Sequence, residues 1–121
     1  MLQLDVMYDL CSRFYVDTRL HSPRLSNENK SLTGMIAGSK IKDKVIVIAD
    51  RYYESYNNFT HIENKDWNYI IRVKDLGSSG ILSALPLPDS EFDICFERIL
   101  TRKQTKAVNA QPETYRFLPS T

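Results

Sequence analysis

The sequence has no charge bias. Its 121 residues include 16 lysines and arginines against 15 aspartates and glutamates, a formal net charge of +1. Bulk attraction to a polyanion is excluded, so any nucleic-acid contact must come from a local basic patch. Long hydrophobic runs are also missing. The longest, Val45-Ile-Val-Ile-Ala49, falls far short of the ~20 residues a membrane span needs, and no membrane partner is expected. Asp5, Asp9 and Arg13 interrupt the opening stretch, which has no small-residue cleavage site, so no secretory leader is read there. Cysteine is scarce. Cys11 and Cys95 lie far apart and form no CxxC, so they read as reduced core residues of a cytoplasmic protein rather than a disulfide or metal framework. His21 and His61 have no partner at metal-ligand spacing and read as surface residues. There is no internal repeat and no low-complexity tract. What remains is 42% hydrophobic and 26% charged residues, ordinary for one folded domain that buries roughly two-thirds of its surface.

Period-two alternation dominates residues 1–20. Leu2, Leu4, Val6, Tyr8 and Leu10 share one face, and after a polar break at Asp9–Ser12 the alternation resumes with Phe14, Val16 and Thr18. Two such runs predict an antiparallel hairpin. A helix follows from Ser26 or Asn27, with Glu28 in its first turn, Leu32, Met35 and Ile36 on one face, and Gly38 as the stop. Val45–Ala49 is β-branched without alternation, the pattern of a central strand buried on both faces. Residues 52–64 predict a helix with Tyr52, Tyr56 and Phe59 inward and Glu54, Asn57 and Asn58 outward. Trp67–Val73 reads as a strand and residues 75–80 as a flexible turn. Phe92, Ile94 and Phe96 alternate with Asp93, Cys95 and Glu97 as a further half-buried strand, and Tyr115–Leu118 as a short final one.

Asp50 is the most informative position. It directly follows the apolar strand and precedes a helix, which places it at the carboxyl edge of an open α/β sheet, where ligand and metal sites collect. A carboxylate there can hold Mg²⁺ with positions open to water and phosphate oxygens. The alternative is a plain helix cap.

The segment from Val45 to Phe59, followed by Trp67-Asn-Tyr-Ile-Ile-Arg-Val-Lys-Asp75, resembles the second catalytic block of bacterial DDE transposases, closest to the insertion-sequence-four class. In that family an apolar strand ends in the second catalytic aspartate, followed by Arg, usually Gly, and an aromatic. A helix and a strand ending in Arg-x-Lys come next. Asp50, Arg51, Tyr53, Arg72 and Lys74 fall on those places, and Met7–Leu10 with Tyr15–Asp17 resemble the family's second and third strands. The resemblance spans about residues 2–106.

It implies an α/β fold: a partial ribonuclease-H-like mixed sheet with helices over residues 1–90, then the start of a β-rich insertion over 91–121. It also implies a parent activity of DNA cleavage and strand transfer on the double-stranded ends of a transposon. A triad of carboxylates would there hold Mg²⁺ or Mn²⁺, with Asp50 as one catalytic metal ligand. Arg51, Arg72 and Lys74 are the candidate DNA-binding cations near the site, and Arg98, Arg102, Lys103 and Lys106 a second basic stripe whose ordinary alternative is a solvated strand edge.

The sequence departs from the pattern in three places. No residue matches the family's first aspartate, because Asp5, Asp9 and Asp17 sit on a hairpin as outward or turn-forming residues. The glutamate position is occupied by Leu76, and Glu91, Glu97 and Glu113 lie in or beside β-patterned segments. Tyr52 stands where glycine is usual, which would cost 1 kcal/mol or more if the backbone there had positive φ, by roughly that order. The chain is therefore expected to be an internal transposase fragment, inactive alone, able to self-associate or to pair with a full-length transposase. The alternatives are a non-catalytic DNA-binding remnant and an unrelated small α/β anion-binding domain. In the family's sheet the first strand is central, so a gap is expected between the hairpin and Val45–Ala49 unless 92–99 or a partner fills it.

Overall fold

The hairpin forms where the alternation places it. In the structure, a computed structural model that describes residues 2–22, 28–75, 79–83 and 85–119, β1 (Gln3–Asp9) pairs antiparallel with β2 (Phe14–His21) in a register running from Gln3↔His21 to Asp9↔Phe14, with a bulge at Met7/Tyr8. Asp9 makes the turn. Its carboxylate accepts from the amides of Cys11 (2.9 Å) and Ser12 (3.2 Å), while Arg13, in the left-handed region at φ 62°, donates its N–H to the Asp9 carbonyl. The Ser12 hydroxyl and these amides hold the Asp9 carboxyl below its usual range.

Helix α1 (Glu28–Gly38) buries Leu32, Met35 and Ile36 as its periodicity predicts. The capping positions Ser26 and Asn27, like Leu76 and Gly77, lie outside the described residues. Strand β3 (Ile46–Ala49) leads into a 3₁₀ turn (Arg51–Tyr53), helix α2 (Tyr56–Asn64) and strand β4 (Asn68–Ile71), which pairs parallel to β3 in the register Ile46↔Asn68 to Ala49↔Ile71. A short helix α3 (Lys106–Asn109), capped by the Thr105 hydroxyl on the Val108 amide, completes the order.

Helix α2 ends in a Schellman motif. Trp67 donates its N–H to the Ile62 carbonyl (3.2 Å) and Asp66, at φ 58°, to that of Glu63 (2.9 Å). The motif's usual apolar contact is present as Ile62 and Trp67, which join Leu32 and Ile36 as the buried cluster of the fold. Met7 of β1, Val47 of β3, and Tyr69 and Ile71 of β4 pack on the same cluster, so both sheets lean on one helix layer. Tyr69 stacks on Phe59 (4.8 Å between centroids) and donates its hydroxyl to Glu63. Burial, with Glu63 adding, pushes its pKa up to about 12.

Several expectations are corrected here. The described strands form two two-stranded sheets rather than one mixed sheet. Strand β3 is covered on one face only, with Ile46 and Ile48 exposed, because no element among the described residues lies on its other side. Residues 92–99 run without regular structure, with Phe92, Ile94 and Phe96 exposed, so they neither form the expected strand nor fill a gap in a sheet; Tyr115–Leu118 is turn, not strand. Cys11 and Cys95 are exposed free thiols, not core residues. Tyr52 lies in the 3₁₀ turn, outside the positive-φ region, with its ring in solvent, so the feared strain does not arise. The total accessible surface, 9305 Å², exceeds the roughly 6,700 Å² of a compact 14 kDa monomer.

Asn57, Asn58 and His61 are buried rather than outward, because partners distant in sequence satisfy them. Asn57 Nδ2 (3.0 Å) and His61 Nε2 (2.8 Å) both donate to the Thr114 carbonyl, and the His61 ring meets Phe117 edge-on. Burial pushes the His61 pKa below its ordinary value of 6.5, the Thr114 bond opposes, and the Arg116 charge adds to the lowering. The unfolded chain therefore takes up this proton at a higher pH than the folded one. Stability should fall as pH drops below 6.5, then level off once the folded group also titrates. Urea midpoints at about pH 7.5 and about pH 5.5 should differ in that direction, and His61→Gln should flatten that part of the slope.

Candidate functional site

Asp50 stands immediately beyond β3, exposed, at the carboxyl end of the parallel pair. Its backbone is extended (φ −75°, ψ 168°), and its Oδ1 accepts from the Arg51 amide at 2.6 Å, capping the 3₁₀ turn. Tyr53 and Glu54 close that turn on the carbonyls of Asp50 and Arg51. Capping is thus part of what Asp50 does, though of this turn and not of α2, whose N-cap is Ser55.

The parallel register brings β4 to the same edge. The Arg72 amide donates to the Ala49 carbonyl (3.3 Å), so Arg72 lies beside the β3 end and Lys74 two residues further on. Arg51, Arg72 and Lys74 are all exposed, and no ion pair among the described residues engages them or Asp50. Glu54, read from the sequence as merely outward, organises this edge. Its two carboxylate oxygens accept from the Lys74 amide (2.6 Å) and the Ile81 amide (2.9 Å), fastening the segment after β4 to the turn after β3. A Cβ on Gly80 would sit 2.7 Å from Glu54 Oε1 and 2.9 Å from Lys74 Cβ, so glycine is what fits there. No spacing in the sequence signals a bond from Glu54 to amides 20 and 27 residues away.

The other candidates are dispersed. Arg98 lies 5.5 Å over the Tyr56 ring. Arg102 is half-buried, its guanidinium donating to the Tyr115 carbonyl and its amide to that of Pro119. Lys103 and Lys106 are exposed, the latter opening α3. What is a stripe in sequence is thus split between an aromatic contact, an internal tie and two solvated lysines.

The carboxylates of the hairpin are engaged elsewhere. Asp5 is buried toward the helices, not outward, and accepts from His21 Nε2 at 2.7 Å, while Ser31 Oγ lies 3.3 Å from that nitrogen. Burial alone would raise the Asp5 pKa, but hydrogen bonds with His21, Ser31 and Gln3 outweigh it, and the net shift is downward. His21 is accordingly a partly buried partner of Asp5, not a free surface residue. The Asp5, His21 and Ser31 set is no nucleophilic triad, since both oxygens address one ring nitrogen. Asp17 pairs with Arg19 at 3.3 Å, and Glu113 with Arg116 at 3.2 Å.

The family model of the transposase DDE domain matches residues 1–114. The chain belongs to that family. No curated protein and no solved structure matches it. DDE domains use divalent ions held by several carboxylates. Among the described residues of this one, no group of three or more His, Cys, Asp or Glu side chains is placed to hold a metal. A lone Asp50 carboxylate, already hydrogen-bonded to a backbone amide, does not fit a two-ion site by itself. No described helix of this DDE domain is long and apolar enough to cross a membrane.

Proposed function

We propose that this chain is part of an insertion-sequence-four class transposase catalytic domain, derived from a ribonuclease-H-like core over about residues 1–90 with an inserted segment beyond, that it works in the cytoplasm, and that it binds duplex DNA without cutting it alone. The observation that carries this is the edge where Asp50, Arg51, Arg72 and Lys74 converge at the end of a parallel strand pair, in a chain that matches the transposase DDE domain. Asp50 is read as one ligand of the Mg²⁺ or Mn²⁺ site of the parent enzyme. Arg51, Arg72 and Lys74 are the phosphate contacts, with Lys103, Lys106 and Arg98 as outlying ones and Arg102 contributing least, since its guanidinium is tied to the Tyr115 carbonyl. Self-association, or pairing with a full-length transposase, belongs to the same reading.

A plasmid-nicking assay in Mg²⁺ or Mn²⁺ separates these roles. The wild-type chain should leave supercoiled DNA intact, as should Asp50→Asn. Metal-dependent nicking by the wild type that Asp50→Asn abolishes would show a complete site and overturn inactivity.

A further inference from the structure

Among the described residues, the two sheets are covered on one side only. Met7, Val47, Tyr69 and Ile71 face the α1–α2 cluster, so the alternate residues of all four strands turn away from the helices. Apart from the uncharged polar Thr18 and Asn68, those residues are apolar. Leu4 is 60% exposed, Val6 43%, Leu20 64%, Ile46 60%, Ile48 63% and Ile70 62%. Within each sheet they lie in register, Leu4 opposite Leu20 in the hairpin and Ile48 opposite Ile70 in the parallel pair. The hairpin carries its charge on the helix side instead, at Asp5, Asp17 and Arg19, with the imidazole of His21 beside Asp5. The open positions of the strands hold no charged residue. This is the reverse of a hairpin with one face in water.

We propose that this open face packs on the same face of a second copy of the chain, closing a helix–sheet–sheet–helix dimer. Three features favour that occupant. The apolar stripes of α1 and α2 are already spent on the chain's own core, so among the regular elements what a second copy can offer is this same sheet face, while exposed Phe92, Ile94, Phe96 and Ile99 lie outside it. The face is uncharged, so two copies meet it about a two-fold axis without like-charge conflict. Its size also fits, since six such side chains and their surroundings leave on the order of 600–800 Å² outside, close to the ~800 Å² per partner of a stable interface. Two sheets stacked this way sit about 10 Å apart, as in ordinary β-sandwiches. The dimer would remove roughly a quarter to a third of each chain's excess accessible surface. It gives the self-association proposed above a surface, and it rests on packing, not on DNA binding.

Sedimentation velocity of the full chain without DNA, from about 1 to about 100 μM to bracket a micromolar dissociation constant, tests this. The wild type should move to a dimer. Leu4→Lys and Ile48→Lys should each weaken dimerisation at least about tenfold with unchanged far-UV circular dichroism, because both side chains are already in solvent in the single chain. Ile99→Lys, at an exposed position outside the sheets, should leave the dimer intact. A wild type that stays monomeric throughout overturns the proposal. So do dimers that survive both sheet-face substitutions, and open-ended oligomers that grow with concentration. If both lysine variants lose their circular dichroism, the wild-type series and Ile99→Lys decide. Because no DNA is present, failure here would leave the DNA-binding reading standing.

Discussion

Trp67→Ala is expected to remove most of the folding free energy. Trp67 is 5% exposed and sits in the buried cluster of the described residues, against Leu32, Ile36 and Ile62. It is also the last residue of the Schellman motif and opens the path into β4, so its ring couples the end of α2 to the parallel sheet. Deleting a large aromatic from such a site costs about 3–5 kcal/mol in transfer and cavity terms, against a total of about 5–15 kcal/mol for a typical domain. With so much surface exposed, this chain belongs at the low end. The thermal transition followed by circular dichroism should drop steeply or vanish, while Trp67→Phe should retain a cooperative transition. Fluorescence cannot follow this variant, since Trp67 is the sole tryptophan. An unchanged midpoint in Trp67→Ala would mean that this cluster is not the core.

Asn58→Asp should be nearly as severe for an opposite reason, since it changes no volume. Asn58 is 0% exposed, and its Nδ2 donates to Asn29 Oδ1 (2.7 Å) and the Tyr53 carbonyl (2.9 Å), tying α2 to α1 and to the turn after Asp50. A carboxylate there would face two acceptor oxygens without a proton to give. Leaving such a charge buried and unpaired costs about 3–5 kcal/mol. The loss should shrink at acid pH, where the new carboxyl becomes protonated and can again donate one bond. Denaturant melts of the wild type and Asn58→Asp at neutral and acid pH measure this. An equal loss at both pH values would point to shape rather than charge.

The local pattern of this fold is legible in the sequence to the extent that local periodicity decides it. The β1–β2 hairpin, the Leu32–Met35–Ile36 face of α1 and the β3–α2–β4 order all follow from spacing and turn chemistry. Alternation, however, tells which residues share a face and not which face meets the helices. The hairpin turns Asp5 inward, where His21 and Ser31 satisfy it, and Leu4 outward. The unalternated Val45–Ala49 run reads as doubly buried because parallel strands usually are, yet among the described residues nothing covers Ile46 and Ile48. Asn57, Asn58 and His61 read as surface residues because polarity alone was visible, while the acceptors that bury them, the carbonyls of Thr114 and Tyr53 and the amide oxygen of Asn29, come from other segments. The carboxyl edge with Asp50, Arg51, Arg72 and Lys74 could be read from an apolar strand ending in Asp-Arg and a second ending in Arg-x-Lys. Glu54, which fastens that edge, could not, because its partners are set by tertiary approach.

Whether this edge contacts DNA is tested most directly by a salt titration of binding to labelled duplex DNA, comparing the wild type with Arg51→Ala/Arg72→Ala/Lys74→Ala. Each phosphate contact contributes about −0.9 to the slope of log K against log salt. The triple variant should therefore bind more weakly at low salt and show a slope shallower by roughly 2–3 units. Lys42→Ala/Lys44→Ala, before β3 at the opposite end of the sheet, should leave the slope unchanged. Absence of wild-type binding at low salt, or a slope the triple variant does not alter, would contradict DNA binding at the Asp50 edge.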